Sequence, residues 1–480
     1  MTRWRVPALL SVVLGSAACD QADEPLEGQR PAPVLAAESA ASAPPGTCAV
    51  VVDDEACDRT KRPIVFVHGT VANGESFGHP AQLLASNGYC PDRIRAVEYN
   101  SLIMTGPTTG SGLPSRGGDA GAAGVSATLD FEATHRSARA AIDQAIAELR
   151  AETGFDKVDI MGHSQGGYHA SRYVREHADA IAHYVNFAGG NLTTNPGEVP
   201  TLCLSSTGDA PMACGTTRNV VFQDDTLDHA AVSSSTESFV EVYKFLNGDQ
   251  LPKFDQVQCG SRIVLEGKAP TFGDNQYLAG AKIEVHELGD APRERGTPVK
   301  VFEIGADGKF GPWEAKRDAA YEFKLVPPPG DTRRPRRAYV PGFVRSDRLL
   351  RFTFESRDPT AAATGARLGY DDAHAAMVVR RRQKAFLHGR DSLKIDGFEA
   401  IGPDNAKNRS VTAALYLYDA PPFDQKSSGG SIIKARFVDS ADVFMSAATP
   451  RFIDVSFNGR SVRVPNWPSD SEGLSLVLVD

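Results

Sequence analysis

Val158-Asp159-Ile160-Met161-Gly162-His163-Ser164-Gln165-Gly166-Gly167 places G-x-S-x-G between an expected strand over 157–161 and an expected helix over 168–177. A tight turn from strand to helix pushes the Ser164 hydroxyl out beyond the sheet. Gly162 and Gly166 must lack side chains because backbone segments approach closely there. The Gln165 amide sits at a helix N-terminus, where unpaired N–H groups bind an oxyanion. With 44 glycines in 480 residues the pentapeptide alone says little, so its surroundings have to carry the reading.

Those surroundings alternate. Apolar runs over 63–67, 93–99, 157–161, 181–187, 201–205 and 219–222 read as strands. Between and after them, 77–86, 131–152, 168–177 and 237–246 read as helices; in 131–152, Ala141, Ile142, Ala145, Ile146 and Leu149 recur at three- and four-residue spacing. The pattern predicts a mostly parallel sheet covered on both faces. Residues 104–127, rich in Gly, Ser and Thr, read as a long loop.

The chemistry at Ser164 needs partners. Phe66-Val67-His68-Gly69-Thr70 ends the first strong strand, and the Thr70 amide is the expected second oxyanion donor; the His68 ring is expected to orient this loop. The acid should follow a later strand, which selects Asp209 after 201–205. Asp224, Asp225 and Asp228 are its rivals, but they do not follow that strand, and an Asp-Asp pair such as Asp224-Asp225 reads as a solvated turn. The base is His229, in the loop before the last helix; His163 is expected as a pocket wall, and His169, His177 and His183 as packing or surface residues.

These residues carry a resemblance. GHSQGG, the His68–Thr70 turn and Asp228-His229-Ala230-Ala231-Val232 resemble bacterial and archaeal lipases and esterases of the α/β-hydrolase fold. The order, with a β-rich region after 250, is similar to the archaeal long-chain lipase type. The resemblance implies a serine carboxylic-ester hydrolase with Ser164, Asp209 and His229 as triad, Thr70 and Gln165 as oxyanion donors, an acyl-ester or lipid substrate and no cofactor. A thioesterase, amidase or polyester depolymerase on the same residues stays open, as does a surface-binding protein whose β region is the working part. The loop over 104–127 holds few large apolar residues, unlike an apolar lipase lid.

The ends of the chain bear on location and organisation. Arg3 and Arg5 precede an apolar stretch over 7–18 that is too short to span a bilayer, which reads as an export signal. Leu14-Gly15-Ser16-Ala17-Ala18-Cys19 resembles the lipobox of bacterial lipoproteins, with Ser16 in place of the usual Leu; a cell-envelope anchor on Cys19 is expected, with cleavage after Ala18 and secretion as the rival. The expected organisation is a signal over 1–19, a solvated tether over 20–47, a catalytic domain over 48–250, a small β-sandwich over 258–327 and a β-rich domain over 338–480. The β tail is therefore one or two sandwich or barrel units, joined at the Pro/Arg-rich stretch 327–338. The arginine runs 333–337 and 380–382 read as solvated loops. The seven cysteines lack metal-ligand spacing; without Cys19, sequence proximity pairs Cys48–Cys57 and Cys203–Cys214 and leaves Cys90–Cys259. A net charge of −9 gives no reason to expect nucleic acid.

Overall fold

The alternating segments assemble into one sheet in the computed structural model of the chain. β1 (Ile64–Val67), β2 (Ile94–Val97), β3 (Val158–His163), β4 (Ile181–Phe187), β5 (Thr201–Ser206) and β6 (Arg218–Phe222) pair in the order β2-β1-β3-β4-β5-β6, and every pairing is parallel. The structure describes residues 50–105, 128–209, 212–224, 227–317, 319–340, 342–358, 368–406, 412–431, 433 and 437–480. The expected signal with Cys19, the tether over 20–47, Cys48, Asp225 and the loop over 106–127 lie outside the described residues.

The continuous apolar runs follow from burial on two faces. Ile64 and Phe66 enter one core, while Val65 and Val67 enter the other. α2 (Phe131–Thr153) lays Ala138, Ile142, Ala145, Ile146 and Leu149 on the second face, together with Ala170, Tyr173 and Val174 of α3 (Gln165–Glu176). The Asp130 side chain caps the start of α2 by accepting from Ala133 N–H, and Gly154, at φ 73°, ends it. α1 (Gly78–Ser86), α4 (Ala231–Ser234) and α5 (Thr236–Leu246) cover the first face.

After residue 258 the chain is almost entirely β. Its largest sheet has eight strands in the order Lys300–Glu303, Lys282–Glu287, Tyr321–Val326, Arg336–Val340, Leu474–Val479, Ala376–Arg381, Ala414–Tyr418, Val438–Asp442. The C-terminal strand Leu474–Val479 lies between Arg336–Val340 and Ala376–Arg381 and is parallel to both. Leu474, Leu476 and Leu478 pack into one core, Val477 and Val479 into another. The two β units expected over 258–327 and 338–480 thus share a sheet, and 327–338 is a link within it rather than a joint between bodies. Sequence reading missed this because the two halves of the sheet are far apart along the chain.

Two expectations are corrected. The arginine runs are not solvated loops. Arg337 is 3% exposed and pairs with Glu322 and Glu472. Arg381 pairs with Asp391 and Asp480, and Arg382 with Asp347, all largely buried. Buried cations persist because each has an anionic partner. The disulfides also differ: Cys57 joins Cys90, with Cα atoms 5.0 Å apart, which excludes both Cys48–Cys57 and Cys90–Cys259. Cys203–Cys214 forms as expected, and Cys259 is also disulfide-bonded. Sequence proximity failed because the fold brings Cys57 beside the end of the loop that follows α1.

Candidate active site

Ser164 sits between β3 and α3 with φ 54° and ψ −124°. A side chain in this backbone region costs on the order of 1–3 kcal/mol, which the surrounding packing must offset. The turn is held where it is because Ser164 N–H donates to the Phe187 carbonyl of β4 at 2.9 Å. A Cβ on Gly162 would lie 2.6 Å from the Gly166 carbonyl oxygen, and one on Gly166 would lie 2.2 Å from the carbonyl oxygens of Val67 and His68. Both glycines are therefore required by close backbone approach.

Asp209 follows β5 and His229 precedes α4, and they meet: His229 Nδ1 lies 2.6 Å from Asp209 Oδ2. Donation from Nδ1–H to the carboxylate leaves Nε2 with its lone pair free to take a proton. Nε2 is buried without a hydrogen-bond partner among the described residues, so it does not engage the Ser164 hydroxyl in this state. The Cys203–Cys214 bridge spans the Asp209 loop. His163 holds the other side of His229: its Nε2 lies 2.8 Å from the His229 carbonyl oxygen and must carry a proton to donate there. Burial, reinforced by the neighbouring His229, pushes the His163 pKa down to about 3, so its ring stays neutral.

The turn after β1 is equally fixed. His68 is fully buried and stacks on Tyr99, and burial lowers its pKa to about 4. Its Nδ1 lies 2.8 Å from the Gly69 carbonyl oxygen. That carbonyl and the Thr70 N–H belong to one planar trans peptide and point in opposite directions. By holding the carbonyl, His68 turns the Thr70 N–H the other way. Val71 follows at φ 63°, strained for a β-branched residue, with its N–H donating to Ser101 Oγ at 2.9 Å. Gly69 packs against the Ser164 turn: a Cβ there would lie 3.0 Å from Ser164 Cβ.

Ser164, His229, His163 and Thr70 line one cavity of about 110 Å³. Much of its wall comes from the β region: Phe272, Arg380, Ala413, Ala414, Phe437 and Val438. Phe437 stacks on the His229 ring, centroids 6.0 Å apart. Two buried polar links reach further in. Asn275 Nδ2 lies 3.3 Å from His68 Nε2 and 3.0 Å from each of the Ala72 and Tyr99 carbonyl oxygens, which buttresses the turn from below. Asp228 accepts from the backbone N–H groups of Ala230, Ala231 and Ala385 and pairs with Arg390 at 3.4 Å, tying the His229 loop to the β region. Burial raises the Asp228 pKa, and these donors oppose that.

The structure therefore brings Ser164, Asp209, His229, Thr70, Gln165, Gly162 and Gly166 to one place. Asp228, a rival candidate for the acid, is buried and instead caps the backbone after His229. Sequence reading missed Asn275, Arg380, Ala385 and Phe437. No short motif marks them, because Asn275 meets His68 from 207 positions away and Ala385 meets Asp228 from 157. Among the described residues, the one cluster of three possible metal ligands is Cys57, Cys90 and Asp92, and its two sulfurs are tied in a disulfide.

Comparison with known proteins agrees with this layout. Residues 64–258 match the alpha/beta hydrolase family, and residues 261–357 match the lipase C-terminal domain. Solved structures with partial likeness include the gene lin2722 product of Listeria innocua, at 15% identity and TM-score 0.26, covering 41% of this chain and 97% of that one. Naproxen esterase (carboxylesterase NP) of Bacillus subtilis has 13% identity and TM-score 0.25, covering 40% and 86%. Carboxylesterase CesB (YbfK) of Bacillus subtilis has 10% identity and TM-score 0.25, covering 40% and 86%. A search of curated proteins finds no match.

Proposed function

We propose that this chain, which belongs to the alpha/beta hydrolases and carries a lipase C-terminal domain, hydrolyses carboxylic esters through an acyl-enzyme on Ser164. The observation that carries the reading is the His229–Asp209 hydrogen bond at 2.6 Å beside a strained serine turn in the same cavity. His229 Nε2 takes the proton as Ser164 Oγ attacks the ester carbonyl. Asp209 holds the ring in the required tautomer and stabilises its positive charge. The oxyanion that forms is received by the backbone N–H groups of Thr70 and Gln165, each worth about 10²–10³ in kcat by analogy with such donors elsewhere. His229 returns its proton to the departing alcohol, and water repeats the sequence on the acyl-enzyme.

The test is turnover of 4-nitrophenyl esters by wild type and Ser164→Ala. The variant is expected to lose turnover while its circular dichroism stays unchanged; equal turnover in both would overturn the reading. A thioester and amide panel with the same two proteins separates the ester reading from the neighbouring acyl-transfer reactions.

Export is part of the same proposal. It is supported by the apolar stretch over 7–18 ending at Cys19 and by the Cys57–Cys90 and Cys203–Cys214 disulfides, which are favoured outside a reducing cytoplasm. Metabolic labelling with a fatty acid is expected to mark wild type and not Cys19→Ser. Equal labelling of both, or of neither, would contradict the anchor.

A further inference from the structure

The cavity above Ser164 contains an unusual pair for an acyl pocket. Arg380 comes from the strand Ala376–Arg381 of the β region, and Glu75 from the segment that follows the oxyanion turn. They form an ion pair, with side chains 12% and 5% exposed. Both line the cavity. A cavity of about 110 Å³ lined by a charged pair is poorly matched to a long hydrocarbon chain.

The pair is unevenly satisfied. Glu75 Oε2 meets Arg380, while Glu75 Oε1 is buried without a hydrogen-bond partner among the described residues. Arg380 offers five N–H donors in a fixed fork, and one carboxylate oxygen does not use them all. The neighbouring arginines have other commitments: Arg381 pairs with Asp391 and Asp480, and Arg382 with Asp347. Arg380 is thus placed to meet whatever enters beside Ser164. Burial lowers its pKa to about 10, so it remains a cation at neutral pH. A methylene set against any N–H that Glu75 does not take would leave it unsolvated and unpaired, and an oxygen at the same point would pair it.

We infer that Arg380 is a specificity-determining residue that reads an oxygen acceptor on the substrate, so that the cavity takes short oxygen-bearing esters in preference to plain hydrocarbon ones. The inference rests on the ester-hydrolase reading above and assigns its substrate class. The β region thereby supplies the half of the pocket that selects the substrate.

Isosteric ester pairs test this. On the acyl side, 4-nitrophenyl methoxyacetate is compared with 4-nitrophenyl butyrate, with an ether oxygen in place of one methylene. On the alcohol side, 2-methoxyethyl acetate is compared with butyl acetate. Each kcat/KM is divided by the rate of hydroxide hydrolysis to remove intrinsic reactivity. Wild type is expected to favour the oxygen-bearing member of one pair by at least about tenfold, the scale of one hydrogen bond to a charged group; the pair that shows it identifies which side of the ester meets Arg380. In Arg380→Met/Glu75→Gln, which leaves no orphaned charge, the ratio is expected to fall to near one. Labelling of Ser164 by a fluorophosphonate certifies that the variant is folded. Should it not fold, Arg380→Lys, which keeps the charge but not the fork, is expected to give an intermediate ratio. A wild-type ratio near one in both pairs, or an unchanged ratio in a folded variant, overturns the inference alone. Absence of turnover and of labelling in wild type overturns the ester-hydrolase reading with it.

Discussion

Replacing Asn275 tests whether the β region shapes the catalytic turn. The Asn275 amide nitrogen carries two hydrogens and faces three acceptors: His68 Nε2 at 3.3 Å, and the Ala72 and Tyr99 carbonyl oxygens at 3.0 Å. The residue is buried. In Asn275→Ala two hydrogen bonds worth about 1 kcal/mol each are lost, and the carbonyls left behind cost about 1–3 kcal/mol more if water does not reach them, so a stability loss of about 2–5 kcal/mol is expected. The effect on catalysis comes through His68, which loses a restraint on the ring that holds the Gly69 carbonyl and so aims the Thr70 N–H. Complete loss of one oxyanion donor costs about 10²–10³ in kcat, and a loosened donor costs part of that, about tenfold to a hundredfold. KM should change little, because the donor acts on the charge that develops in the transition state. Steady-state kinetics on a 4-nitrophenyl ester, with thermal unfolding of the same samples, measures both terms. The Asn275→Ala enzyme should still react with a fluorophosphonate, since the Ser164, His229 and Asp209 side chains are untouched. A folded, destabilised variant with kcat within about twofold of wild type would refute the link from Asn275 to the oxyanion turn.

Further outcomes follow from the same geometry. Asp209→Asn removes the carboxylate that receives His229 Nδ1–H and is expected to lower kcat by about 10⁴, measured on the same ester; a fall of less than tenfold would contradict its role. Gly166→Ala would set a methyl 2.2 Å from two backbone carbonyl oxygens, so soluble yield and cooperative unfolding should be lost, whereas Gly190→Ala, with nothing within 4 Å although at φ 107°, should fold with only a modest loss of stability. Desolvation lowers the pKa values of His68 and His79 to about 4, and those of His163 and His169 to about 3, from 6.5. The unfolded chain therefore takes up protons first as pH falls. Their contribution is full above about pH 6.5 and is lost as pH drops towards 3, so the melting temperature should decline across that window; a flat profile would contradict it. Truncation after residue 257 removes Leu349 from the hydrolase core as well as Asn275, Ala385 and Phe437 from the site, so a fragment over 50–257 should lack both turnover and a cooperative transition.

The hydrolase half was legible because its signals are local. Strand β1 reads directly from Ile64-Val65-Phe66-Val67, since burial on both faces demands an unbroken apolar run. The glycines of the serine turn and the chain order of Ser164, Asp209 and His229 are likewise written in short stretches. What escaped the reading depends on distant pairing. The C-terminal strand Leu474–Val479 is visible as a strand, but nothing in it says that it will lie between Arg336–Val340 and Ala376–Arg381. The arginines at 380–382 look like a solvated run until Glu75, Asp391, Asp480 and Asp347 are brought to them. Cys57 and Cys90 lie 33 positions apart in sequence, and only the folded chain makes them neighbours.

The central claim is that Ser164 is the nucleophile and His229 its base. Fluorophosphonate treatment followed by peptide mass mapping tests it directly. The account predicts one modification on the peptide containing Ser164, absent in Ser164→Ala and slowed by orders of magnitude in His229→Ala. Labelling on another residue, or labelling at Ser164 that is as fast without His229, would contradict it.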